Sequence, residues 1–134
     1  MKPYILKSSE LIPGVIFDPD NNNFEMTGSS RPEDVRDLYS PMVEWLKGFE
    51  EEIVKGMYPI FSKENPMIFK FKMDYFNSSS AKFLFDIFEE LNIIHKSGFP
   101  LEIHWHFDEE DDDMREAGEE MQDLVEMEFQ FIQV

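Results

Sequence analysis

At 134 residues the chain has room for one compact two-layer domain and not for two ordinary ones, and its 42% apolar content with fourteen Phe is ample for a core. A formal net charge of −17 argues against nucleic acid and anionic membrane as partners, because both require a basic face that displaces counterions. The absence of cysteine excludes disulfides, thiolate metal clusters and a cysteine nucleophile, and no apolar run has the length of about eighteen that a membrane span needs. We therefore expect a cytoplasmic protein whose residues 1–134 form a single domain.

Near the N-terminus, "GVIFDPDNNNFEMTG" places turn-forming Pro, Asp and Asn between two apolar runs and predicts a β-hairpin, with "PYIL" a candidate third strand. "SSRPEDVRDLYSPMVEWLKGFEEEIVKG" follows, with Ser30 and Glu33 at capping-box spacing and Val35, Leu38, Met42, Leu46, Phe49 and Ile53 at helical intervals. Pro41 predicts a kink or short break in this helix, and Gly56 its end. After a loop over 57–66, "MIFKFKMDYF" alternates as a half-buried strand.

From Ser79 to Ser97 the stripe Leu84, Ile87, Phe88, Leu91 and Ile94 predicts a second amphipathic helix, closed by Gly98. "LEIHWHF" alternates again, with His104 and His106 on the face opposite Trp105. "MREAGEEMQDLVE" predicts a third helix weakened by Gly118, and "MEFQFIQV" a closing strand. This order of elements predicts an α/β domain with a mixed central sheet and helices packed mainly on one face.

No phosphate-binding glycine loop and no nucleophile elbow accompanies any Ser, so catalysis has little support, and nothing calls for a cofactor. One metal alternative exists: His104 and His106 project from one strand face just before "DEEDDD" and, with a carboxylate, form a conceivable ligand set. The acidic run also suits a helix N-terminus, where negative side chains oppose the positive end of the helix. From Asp108 to Glu126 eleven acidic residues face one Arg, so the C-terminal third of the chain is its acidic pole. A constitutive adaptor that docks a basic partner there is a second reading.

"NSSSAK", residues 77–82, supplies four candidate N-caps where a helix needs one. At roughly 100° per residue, Ile93 falls outward among Lys82, Asp86 and Glu89, with Phe85 at the edge of the apolar stripe. An outward Ile beside a flanking Phe suggests a contact surface, unless the 57–66 loop covers it. With Asn77, these residues (Lys82, Phe85, Asp86, Glu89 and Ile93) form the expected partner face.

The segments "GVIFDPDNNNFEMTGSSRPED", "VEWL", "FKMDYFNSSSAKFLFDIFEEL" and "HWHFDEEDDDMREAGEEM" together resemble the SiaC-type bacterial regulatory phosphoproteins of biofilm control. That family has a STAS-like fold related to anti-sigma-factor antagonists. The resemblance implies a partner-switching protein that is not itself an enzyme. In the family the hydroxyl residue after the Asn, usually Thr, is phosphorylated, and it matches Ser78 here, with Ser79 and Ser80 as alternatives. It further implies a serine kinase of the histidine-kinase-like ATPase type, a PP2C-like phosphatase, and a target such as a diguanylate cyclase bound by the unmodified form.

Overall fold

The computed structural model describes all 134 residues and contains six strands and three helices. Strands β1 (Tyr4–Leu6), β2 (Gly14–Asp18) and β3 (Asn23–Ser30) pair antiparallel, and β3 then pairs parallel with β4 (Met67–Phe76). Strands β5 (Leu101–Phe107) and β6 (Gln130–Gln133) continue the parallel part, so the order across the sheet is that of the chain. Helices α1 (Val35–Val54), α2 (Ser78–Lys96) and α3 (Asp112–Val125) connect successive parallel strands. Three crossovers of one hand stepping in one direction place all three helices on the same face of the sheet.

Alternation in the strands decides which side chains meet those helices. Val15, Phe17, Phe24, Met26, Phe69, Phe71, Ile103 and Trp105 are fully buried and belong to one apolar cluster. Their neighbours Glu25, Lys70 and His104 lie in register along the opposite, helix-free face. The predicted stripe of α2 (Leu84, Ile87, Phe88, Leu91, Ile94) is fully buried, as are Met42, Leu46 and Phe49 of α1.

Three local expectations are corrected. Ser30 does not cap α1: it ends β3 with a buried hydroxyl, and Asp34 is the cap, accepting from the Asp37 N–H at 3.0 Å. Helix α1 runs unbroken through Pro41. Pro41 is exposed, so the hydrogen bond it forfeits lies on the solvent side, while Met42 and Leu46 hold the buried stripe in phase. Gly118 does not merely weaken α3, since a Cβ there would lie 2.6 Å from Trp105 Nε1: glycine lets the helix lie directly on the indole.

The 57–66 loop packs at the end of the sheet where β4 begins, with Tyr58 against Phe49 (ring centroids 5.0 Å apart) and Phe61 against Phe99 (5.4 Å). The serine step lies at the other end of β4, and Ile93 stays 44% exposed. The loop therefore leaves the outer face of α2 open.

Candidate functional site

Asn77 is the N-cap of α2, its side-chain oxygen accepting from the Ser80 N–H at 2.9 Å, so the expected partner residue Asn77 also caps the helix. Its own N–H donates to the Ser30 carbonyl at 3.1 Å, which ties the start of α2 to the end of β3. Ser80 is fully buried, and its hydroxyl shares a hydrogen bond with Ser30 Oγ at 2.8 Å. Ser30 Oγ is also 2.7 Å from the Tyr39 hydroxyl on α1. Burial raises the Tyr39 pKa against the smaller lowering effect of those two serines, so the tyrosine is a neutral member of the cluster.

Helical phase then sorts the three serines. Ser80 points with Leu84 into the core, so its hydroxyl is closed to a modifying enzyme in this structure. Ser79 is exposed but sits one turn before Phe83, which stacks on Tyr39 and lies under the Arg36 guanidinium of α1. Ser78 is exposed on the other flank, one turn before Lys82 and on the side of Ala81 and Phe85. The Asn-Ser-Ser-Ser step thus holds one cap, one core hydroxyl and two accessible hydroxyls with different neighbours.

A groove of about 410 Å³ opens between α2 and α3 on the Ser78 flank. Ala81, Lys82 and Phe85 line it from α2, Ala117, Glu120, Met121 and Leu124 from α3, with Phe76 beneath. Leu124 is 67% exposed at its rim. Of the expected partner face, Lys82 and Phe85 belong to this groove, whereas Asp86, Glu89 and Ile93 are exposed along the outer ridge of α2. The α3 wall was missed in the sequence reading. Its signal is Leu124, which stands beside Val125 yet off the buried stripe of Met114, Gly118, Met121 and Val125.

On the opposite flank of α2, Glu90 is 5% exposed and faces Glu50 of α1. Burial first, and then the hydrogen bond and negative charge of Glu50, push the Glu90 pKa up to about 8. Glu90 therefore keeps its proton at neutral pH, and its Oε1 is buried without a hydrogen-bond partner.

The structure does not assemble the metal alternative. His104 and His106 share the helix-free face, but His104 is paired with Glu102 at 2.9 Å and His106 Nε2 has no partner. Burial, and then Lys72, lower the His106 pKa, and no group of three His, Cys, Asp or Glu side chains is arranged to hold an ion. The acidic run is occupied with its own backbone: Asp108 accepts from the Glu110 N–H at 2.9 Å, and Asp111 caps α3 by accepting from the Met114 N–H at 3.0 Å. No helix is long and apolar enough to cross a membrane.

Comparison with known proteins bears on the family and the fold. The model of the SiaC family of regulatory phosphoproteins matches residues 6–134. An uncharacterized protein of Pseudomonas aeruginosa is 24% identical over 118 residues, which is 88% of this chain and 86% of its own. The crystal structure of apo-SiaC from P. aeruginosa superposes with a TM-score of 0.79 at 23% identity, covering 99% of this chain and 98% of that one. The crystal structure of the diguanylate cyclase SiaD in complex with its activator SiaC, from the same organism, matches with a TM-score of 0.78 at 23% identity, covering 97% of both chains. At that identity the solved structures establish the fold.

Proposed function

This chain belongs to the SiaC family of regulatory phosphoproteins, and from that premise we propose that it is a cytoplasmic partner-switching protein, a substrate of enzymes and not itself one. Its unmodified form binds a target protein, and phosphorylation of Ser78 releases it. The complex of SiaC with SiaD supports a diguanylate cyclase as the class of target. A serine kinase of the histidine-kinase-like ATPase type adds the phosphate and a PP2C-like phosphatase removes it.

The observation that carries this reading is the position of the Ser78 hydroxyl, exposed in the first turn of α2 and on the flank where the apolar groove opens. A phosphate there adds roughly −1.5 to −2 charge. The free N–H groups and positive end of α2 favour an anion at that point, so the fold is expected to survive the modification. A partner lying over the same turn must strip water from the phosphate, and one uncompensated buried charge costs several kcal/mol, or more than about a hundredfold in affinity. Binding is thereby lost while the domain stays folded.

The test is to prepare the protein with phosphoserine at position 78 or at position 79 and to titrate each against a diguanylate cyclase of the same cell. Phosphoserine at 78 should abolish binding with little change in the unfolding curve, and Ser78→Ala should bind regardless of kinase. Equal binding of the modified and unmodified forms would leave the constitutive acidic adaptor as the remaining reading.

A further inference from the structure

We propose that the groove between α2 and α3 receives a short amphipathic helix of the partner, one that seats two apolar side chains a turn apart and carries Lys or Arg along the side facing α3. This deepens the partner-switching reading and rests on it for the role of Ser78.

The groove floor sets the apolar half of the match. Ala81 and Ala117 face each other as the small residues of the two walls, Phe76 forms the base, and Phe85 and Leu124 close the far end. From Ala117 to Leu124 α3 rises by about 10 Å, which is the span of two helical turns and suits two apolar side chains at i and i+3 or i+4. Leu124 is 67% exposed on a helix whose other apolar residues are at least partly covered, so a contact with it removes apolar surface that the isolated domain leaves wet.

Charge sets the other half. The exposed face of α3 carries Asp113, Glu116, Glu119, Glu120 and Asp123, and its one cation, Arg115, is already 3.7 Å from Asp112 and 3.8 Å from Glu119. Of the charged side chains that line the groove itself, Lys82 stands on the α2 wall and Glu120 on the α3 wall. A helix with a basic flank on that side satisfies the wall, and one with an acidic flank is repelled by it. The proposal also explains how attraction and phosphate release coexist. Basic side chains pair with α3, while an apolar side chain at the head of the groove covers the Ser78 turn, where a phosphate has no cation of the partner to meet.

The probes are two fluorescein-labelled synthetic helices with the same leucine pair, one flanked by arginines and the other by glutamates, titrated against the full chain by anisotropy. The arginine-flanked helix should bind at least about tenfold more tightly, and its affinity should fall as salt is raised. Leu124→Asp, at an exposed position, should weaken it by about tenfold or more with an unchanged unfolding midpoint, and the double variant Glu116→Lys, Glu120→Lys should reverse the preference between probes. Equal binding of both probes, or indifference to Leu124→Asp, overturns the proposal. So does a dimer of the wild-type chain that Leu124→Asp dissolves, because the occupant is then a second copy. If the arginine-flanked probe binds as expected and phosphoserine at 78 leaves it bound, the groove stands and the switch reading fails. If phosphorylation releases a cyclase while neither probe binds, the switch stands and the groove proposal fails.

Discussion

The three serines of one short step have three separate physical roles, and the differences arise from contacts that no local pattern encodes. Ser80 meets Ser30 across 50 positions of sequence, and Tyr39 joins them from α1. Removing the Ser80 hydroxyl leaves Ser30 with one partner fewer in a fully buried site, so Ser80→Ala is expected to cost about 1–2 kcal/mol in urea unfolding. Ser78→Ala, at an exposed first-turn position beside an intact Asn77 cap, should stay within about 0.5 kcal/mol of wild type. A larger loss at Ser78 than at Ser80 would reverse the assignment of core and accessible hydroxyls. The excess of hydroxyls over what a cap requires was legible in the sequence. Their division was not, because Ser30 reads locally as half of a capping box, and only the parallel pairing of β3 with β4 carries it to the start of α2.

At the scale of elements, strands and buried stripes were legible because alternation and helical period report burial directly, whereas the fit between elements was not. Gly118 shows the gap. Replacing an exposed helical glycine with alanine stabilises by roughly 1 kcal/mol. Here the added methyl would enter the Trp105 ring, which is fully buried and whose Nε1 donates to the Met114 carbonyl at 3.0 Å, so the ring has no free direction to move. Gly118→Ala should therefore destabilise the domain by about 1–3 kcal/mol, and Trp105 fluorescence should report the displacement. A stabilised variant would mean that α3 does not rest on the indole. The seam between α1 and α2 holds a second such feature. Glu90 is read from sequence as one more acid on an acidic helix, yet it is nearly buried and faces Glu50, and both effects raise its pKa. Since its folded pKa, about 8, lies above the ordinary 4.5, the folded state binds the proton more tightly than the unfolded chain does. The stability this contributes is complete at low pH and is lost as pH rises through about 8. Glu90→Gln keeps the shape and cannot ionise, so it should gain about 1–2 kcal/mol over wild type at pH 9. The gain should shrink as pH falls.

For the whole molecule, the dominant long-range term is self-repulsion. The formal charge of −17 on 134 residues is gathered toward the α3 end, while the sheet face carries Lys70 and Lys72. Folding brings those acids closer together than the expanded chain holds them, so the compact state bears a penalty that mobile ions reduce. Raising sodium chloride from about 0.01 to 0.3 M shortens the screening length from about 30 Å to under 10 Å, and the thermal midpoint at pH 7.5 should rise by several degrees. The net charge was plain from composition, but its consequence for stability depends on which acids the fold crowds together. Acidification also relieves repulsion, in the same direction as protonation of Glu90, so a pH series alone confuses the two. Salt separates them. Exposed acids are screened at 0.3 M, whereas the cost of ionising Glu90 comes first from burial, which mobile ions do not reach. In high salt the loss of stability between about pH 6 and 9 should therefore persist in the wild type and largely vanish in Glu90→Gln. A slope that salt removes from both proteins would assign the pH dependence to the surface and leave the seam without a role in it.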